Sequence, residues 1–369
     1  MSSSNLNRNW VQFQNKQFSF NSFIKEYQNS NNDQLKSIAQ FISEWLSEKS
    51  DILQNTSGST GKPKSIKILK SQMKASALAT LSTLNIEAND HALLCINAEY
   101  IGGKMMIARS IIGNLNLIIA PTIANPLKDF STQMPIEFFS FVPYQFERII
   151  DESPEKIPFL EDSKAIILGG APVSDSLAEK INTQFSNTKV YSTYGMTETV
   201  SHVALKLINS NKEETFNALQ NIKFSVDDRN CLVIHAPEIS GKDELVTNDV
   251  VNLISSTAFH WLGRNDFVIN SGGIKIHPEL IEKEIGKIFN SSGISNRFFV
   301  FGLPDDKLGD SLNLVLEGNN DSKLIQNLLK KNLKAFHSPR EIYTIDKFVE
   351  TENSKINRFK TIDKLEIVL

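Results

Sequence analysis

Lys164 to Gly195 reads KAIILGGAPVSDSLAEKINTQFSNTKVYSTYG, and the class of fold turns on this stretch. KAIILGG (164–170) and KVYSTYG (189–195) are apolar or β-branched runs that end in glycine, and Ser174 to Phe185 between them is patterned as a helix. Two such strands joined through a helix form a β-α-β unit, which implies parallel strands. Ligands on open α/β sheets gather at the carboxyl ends of the strands, so Gly169-Gly170 and Gly195 to Glu198 should border one site.

Working outward, Leu35, Ile38, Phe41, Ile42, Trp45 and Leu46 recur at helical spacing, while ALLCI near 92 and FFSFV near 138 read as short buried strands. Beyond residue 263 the pattern restarts with a Pro278-initiated helix, the strands FFVFG and LNLVLE, a helix from about Lys323 to Leu333 and a strand near Ile342. The expectation is a large α/β domain of layered sheets and helices over 1–263, followed by a small mobile α+β domain over 264–369.

Bulk properties narrow the partners. The 369 residues are 40% hydrophobic and 22% charged with a formal net charge of −3, which excludes a basic nucleic-acid binder and an acidic tail protein. Cys95 and Cys231 both lie in apolar runs, which argues for buried thiols and against a disulfide framework or a cysteine zinc site. The start of the chain is polar and no run of about 18 apolar residues occurs, so a cytoplasmic location with no membrane span is expected.

The chemistry is carried by separate short segments. Thr56-Ser57-Gly58-Ser59-Thr60-Gly61-Lys62-Pro63-Lys64 packs hydroxyls, glycines and two lysines into one loop that can present backbone N–H groups and ammonium charge to a polyphosphate. The spacing of Gly58 and Gly61 excludes a Walker P-loop. Tyr194-Gly195-Met196-Thr197-Glu198-Thr199 offers an aromatic plane, a hydroxyl and a carboxylate at the expected edge, and Glu198 can hold Mg²⁺ against phosphates. Asp249, in VTND, can accept two ribose hydroxyls or simply cap a turn. A charged turn, Gly263-Arg264-Asn265-Asp266, and the pair Gly272-Gly273 precede the Pro278 helix, and SKINR (354–358) lies near the end.

In this order TSGSTGKPK, ILGGAPVS, YGMTET, VTND, GRND with SGGIKIHPELIE, and SKINR resemble the core motifs of the adenylate-forming superfamily over about residues 50–360. The resemblance implies an ATP-dependent, AMP-forming acid–thiol ligase. By that resemblance Thr56 to Lys64 is the phosphate loop, Gly169-Gly170-Ala171 and Tyr194 flank adenine, Gly195, Met196 and Thr197 border the nucleotide, and Glu198 binds Mg²⁺. Asp249 and Arg264 hold the ribose, Asp266 is the hinge of the small domain, Lys355 reaches the α-phosphate, and coenzyme A passes Gly272-Gly273.

Little sequence precedes the phosphate loop, and with YGMTET and SGGIKIHP this is similar to the superfamily members that act on o-succinylbenzoate in menaquinone biosynthesis. Such an acid keeps a second carboxylate in the acyl pocket, where an unpaired anion is costly. Glu99 to Lys104 replaces the superfamily's usual histidine segment, with Tyr100 at the histidine position, which makes Lys104 a candidate counter-ion or a solvated lysine at a helix start. Tyr144, in VPY, and His202, after YGMTET, are candidates to line the pocket, and His202 serves equally as a structural histidine. Ser354 stands where glycine commonly precedes the lysine, and Lys275 where Asn or Arg is frequent. Another carboxylic acid, a carrier-protein acceptor, or a nucleotide-binding protein without turnover are the competing readings.

Overall fold

The computed structural model describes residues 9–56, 64–210, 214–318, 321–350 and 356–365; the side chains of Asn55, Thr56 and Lys64 are outside this description. The β-α-β unit forms as the sequence implies. Ala165–Leu168 and Lys189–Gly195 run parallel and adjacent, joined through the helix Asp175–Gln184. Ser174 caps that helix by accepting from Leu177 N, and Phe185 ends it.

The pair is the middle of a 13-stranded sheet. To one side Phe138–Phe141, His91–Leu94, Asn116–Ile119 and Val11–Phe13 continue the parallel order, with Lys16–Phe18 antiparallel at the edge. To the other side every pairing is antiparallel, through His202–Leu207, Thr215–Ala218, Ala258–Arg264, Leu245–Ser255, Cys231–His235 and Lys223–Val226. The central strands are apolar on both faces because both are covered. Ala92, Leu94, Phe138 and Ile167 pack with residues of the helices Lys70–Leu84 and Ile101–Gly113. Leu93, Phe139, Phe141, Ile166 and Leu168 pack on the opposite side with Phe146, Ile149, Leu177 and Ile181 from Pro143–Glu152 and Asp175–Gln184.

A second sheet has its own core. Ile274–Ile276, Ile269–Ser271, Gly309–Glu317 and Phe298–Asp305 are antiparallel neighbours, and Ile342–Ile345 lies parallel beside Gly309–Glu317. The helix Pro278–Ser291 begins with proline at its first position, where no intrahelical N–H is needed, and buries Ile281, Ile285 and Phe289 on this sheet with Leu329 of Ser322–Asn332. The structure is thus a large α/β unit followed by a smaller C-terminal one. The large sheet runs to Arg264 and the small sheet starts at Ile269. Asp51–Thr56 and Lys64–Leu69 form a separate two-stranded hairpin, with Thr56 opposite Lys64. Among the described residues no helix is long and apolar enough to cross a membrane.

Candidate active site

The step from Asp249 to Arg264 is a strand register. Leu245–Ser255 and Ala258–Arg264 form an antiparallel hairpin in which these residues face each other directly. Asp249 is buried, and its carboxylate accepts from the Tyr194 hydroxyl at 2.6 Å through Oδ2 and from the Trp261 indole at 3.2 Å through Oδ1. Arg264 Nη1 lies 3.8 Å from Oδ1, and its Nη2 donates to Asp266 at 2.7 Å. Burial and then the charge of Asp249 push the Tyr194 phenol well above its ordinary pKa, so it stays a donor. Tyr194, Asp249 and Arg264, distant in sequence, form one cluster.

The two glycine-bearing strand ends meet beside it. A side chain at Gly169 would sit 2.8 Å from Thr193 Oγ1, and that hydroxyl donates to Leu168 O at 3.1 Å. Gly170 has φ +85, and Gly169, Gly170 and Ala171 leave the sheet with partial to full exposure. After Gly195 the chain makes a 3-10 turn, Thr197–Thr199. Glu198 on that turn is exposed and has no hydrogen-bond or ion-pair partner among the described residues. A carboxylate of this kind suits Mg²⁺, a hard cation that takes carboxylate oxygens and keeps waters and phosphates as its other ligands.

The turn closes under strain. Val200 is β-branched yet has φ 62 and ψ −48, a region such residues avoid, and Ser201 N donates to Thr199 O at 2.5 Å across it. The Thr199 hydroxyl accepts from Met196 N at 2.9 Å and lies 2.7 Å from Ser201 O, stapling both sides of the turn.

What holds Ser201 in place is Arg109. This arginine projects from Ile101–Gly113, a helix buried along most of its length, and is only 2% exposed. Nη2 donates to Ser201 Oγ at 2.8 Å, Nε has no partner, and no carboxylate pairs with it among the described residues. Burial lowers its pKa to about 9. Beyond it runs a hydrogen-bonded chain: Ser201 Oγ to His202 Nδ1 at 3.3 Å, His202 Nε2 to Thr80 Oγ1 at 3.1 Å, and Thr80 Oγ1 to Ser76 O at 2.9 Å. One direction of donation satisfies every member: Arg109 to Ser201, Ser201 to His202 Nδ1, His202 Nε2–H to Thr80, Thr80 to Ser76. His202 is therefore neutral, and burial followed by the charge of Arg109 drives its pKa well below the ordinary value. Both ring nitrogens are engaged, as in a structural histidine.

The remaining expected residues take other positions. Lys104 donates to Leu53 O at 3.1 Å, tying the helix start to the Asp51–Thr56 strand, and burial lowers its pKa. Tyr100 and Tyr144 are exposed at helix starts, at 62% and 61%. Asp266 accepts from Arg264 and from Asn248 Nδ2 at 3.3 Å. Gly272 and Gly273, both at positive φ, form the tight turn of the small-sheet hairpin, with Gly272 N donating to Leu308 O at 2.7 Å. Ser57 to Pro63, Ser354 and Lys355 lie outside the described residues, as do the side chains of Thr56 and Lys64. Two residues of this region escaped sequence reasoning. Arg109 had a signal, a lone cation in the apolar run MMIARSII; Trp261 had none.

Residues 15–230 match the AMP-binding enzyme family. The chain belongs to that family, an AMP-forming ligase family by its relatives. It is 25% identical over 345 residues to a 2-succinylbenzoate–CoA ligase of Listeria monocytogenes, covering 87% of this chain and 71% of that protein. A 2-succinylbenzoate–CoA ligase of Lactococcus lactis matches similarly, at 25% identity over 84% of this chain and 70% of the other. Among solved structures it is similar to an acyl-CoA synthetase (AMP-forming)/AMP-acid ligase II-like protein from Dyadobacter fermentans, at 35% identity, TM-score 0.62, and coverage of 93% of this chain and 97% of that one. It shares the fold of the o-succinylbenzoate coenzyme A synthetase from Bacillus subtilis solved with ATP and magnesium ion, at TM-score 0.70 and 20% identity, over 85% of this chain and 71% of that one.

Proposed function

We propose that this chain activates o-succinylbenzoate with ATP and Mg²⁺ and transfers the acyl group to coenzyme A. Arg109 carries the choice of acid. A buried guanidinium with an unsatisfied Nε and no acid partner is an expensive arrangement unless an anion arrives to complete it. It donates to the residue before His202 and so adjoins the segment that follows YGMTET, where the acyl pocket of such an enzyme belongs. In this reading Arg109 pairs the second carboxylate, and Lys104, whose ammonium donates to Leu53 O, is the alternative counter-ion. The names of the relatives agree with this substrate.

In the first half-reaction a carboxylate oxygen attacks the α-phosphorus and the bond to pyrophosphate breaks. Tyr194 and Asp249 orient the nucleotide, Thr197 and the loop Thr56 to Lys64 donate to phosphate oxygens, and Glu198 would hold Mg²⁺, which when bound would supply charge neutralisation at the phosphates. Lys355 neutralises charge at the α-phosphate. In the second half-reaction the thiolate of coenzyme A attacks the acyl carbon and AMP leaves, after the small unit turns about Asp266.

Pyrophosphate release across a panel of acids tests the reading. The highest kcat/KM is expected for o-succinylbenzoate, and Arg109→Met should raise its KM by at least about tenfold, and by more than it raises KM for ATP, as for removal of one partner of a buried charge pair. Equal turnover of o-succinylbenzoate and of its ester at the non-reacting carboxylate would exclude the dicarboxylate assignment.

A further inference from the structure

The carboxylate of Asp249 receives two donors from the chain, and only Tyr194 belongs to a recognised motif. Trp261 sits within the Ala258–Arg264 strand and reaches Asp249 because of one irregularity. The register pairs Asp249 with Arg264, Val250 with Gly263, and then Val251 with Trp261, so Leu262 is an extra residue. In a regular ladder Leu262 would face Val251 on the Asp249 side and Trp261 would point away; the bulge exchanges them. Gly263, at φ +150, adjoins the bulge, and the space a side chain would need there is filled by Glu279 Oε2, 2.2 Å from the position of a Cβ.

We infer that Trp261 is a positioning residue for nucleotide recognition: its indole N–H fixes Asp249 Oδ1 while the Tyr194 hydroxyl fixes Oδ2. Each oxygen then keeps one lone pair for one hydroxyl of a vicinal diol. This rests on the proposed adenylation, with Asp249 as the ribose acceptor. Without the indole the carboxylate keeps a hydrogen bond on Oδ2 only, and the Arg264 charge 3.8 Å from Oδ1 does not fix its rotation, so it loses the simultaneous acceptance of two hydroxyls rather than its charge.

The test compares kcat and KM for ATP, 2′-deoxy-ATP and 3′-deoxy-ATP in wild type and Trp261→Phe. In the variant KM for ATP should rise about tenfold, the effect of one hydrogen bond to a charged group, with kcat within about twofold. KM for the deoxy nucleotides should change much less, so the preference for ATP collapses. An equal rise for all three nucleotides marks a merely structural role and overturns the inference, as does an unchanged preference. Should Trp261→Phe not fold, Trp10→Phe/Trp45→Phe leaves Trp261 as the sole tryptophan. ATP should then shift its fluorescence more than 2′,3′-dideoxy-ATP does, and equal shifts, or no shift with ATP shown bound by calorimetry, overturn the inference. Absence of pyrophosphate release by the wild type with every acid refutes the adenylation reading itself and is seen before any variant is made.

Discussion

Arg109 and His202 show how single residues set the electrostatics beneath the site. A cation and a titratable ring share a buried region, and the neutral state of the ring permits it. The consequence for stability has a definite sign. The unfolded chain protonates His202 near its ordinary value of 6.5, whereas the folded chain resists protonation to well below it. Below about pH 6.5 the unfolded state therefore binds more protons, and stability is lost as pH falls. Thermal unfolding from pH 7.5 to 5 should show a steeper fall in midpoint for wild type than for His202→Gln. Parallel curves would mean that His202 is not the group refusing the proton.

At the scale of elements, the strand Lys189–Gly195 and its partner His202–Leu207 hold the YGMTET turn between them with no spare room. Gly195 pairs with His202, and a Cβ on it would lie 2.3 Å from Ser201 O and 2.5 Å from His202 Cα. Gly195→Ala is thus expected to destabilise the protein by about 1–3 kcal/mol, as overpacking does, and to weaken ATP binding. Denaturant unfolding with nucleotide titration checks both effects. The elements themselves were largely legible. Helix Asp175–Gln184, the strand pair around it and the five C-terminal elements read from Pro278 onward match their periodicity, because spacing of 2 or 3.6 is a local property, whereas the short strands Ile269–Ser271 and Ile274–Ile276 and the helix Arg358–Asp363 were not read. The antiparallel half of the sheet between His202 and Arg264 was not read. An Asn- and Ser-rich stretch interrupts its strands, and Thr215–Ala218 pairs with Ala258–Arg264 some forty residues away.

On the scale of the molecule, the two units are tied by charge as well as by the chain. Lys283, on the Pro278–Ser291 helix, meets Glu214 at 2.6 Å, and Lys206 meets the same carboxylate at 3.0 Å. Burial would raise the Glu214 pKa, but its hydrogen bonds and the charges of both lysines hold it at about 2. The pair is partly exposed and of modest strength, so Lys283→Glu should shift the arrangement of the units only a few-fold. Faster limited proteolysis near residues 265–268, with an unchanged melting of the large unit, is the expected result. Unaltered cleavage would show that the linkage does not hold the units together.

What the sequence determined by itself was the local layer: the β-α-β unit, the ordered motifs, and the residue types able to meet phosphate, diol and metal. Hydrophobic period and short-range spacing encode these, and both survive without knowledge of what each segment packs against. Only the tertiary structure decided that Arg109 lies buried without an acid among the described residues, and which side chain donates to Asp249. Burial sets the first, and a one-residue bulge, which brings Trp261 rather than Leu262 to the Asp249 side, sets the second. Burial depends on what every other element covers, and a strand's facing reverses with a single inserted residue, so neither can be counted along the chain.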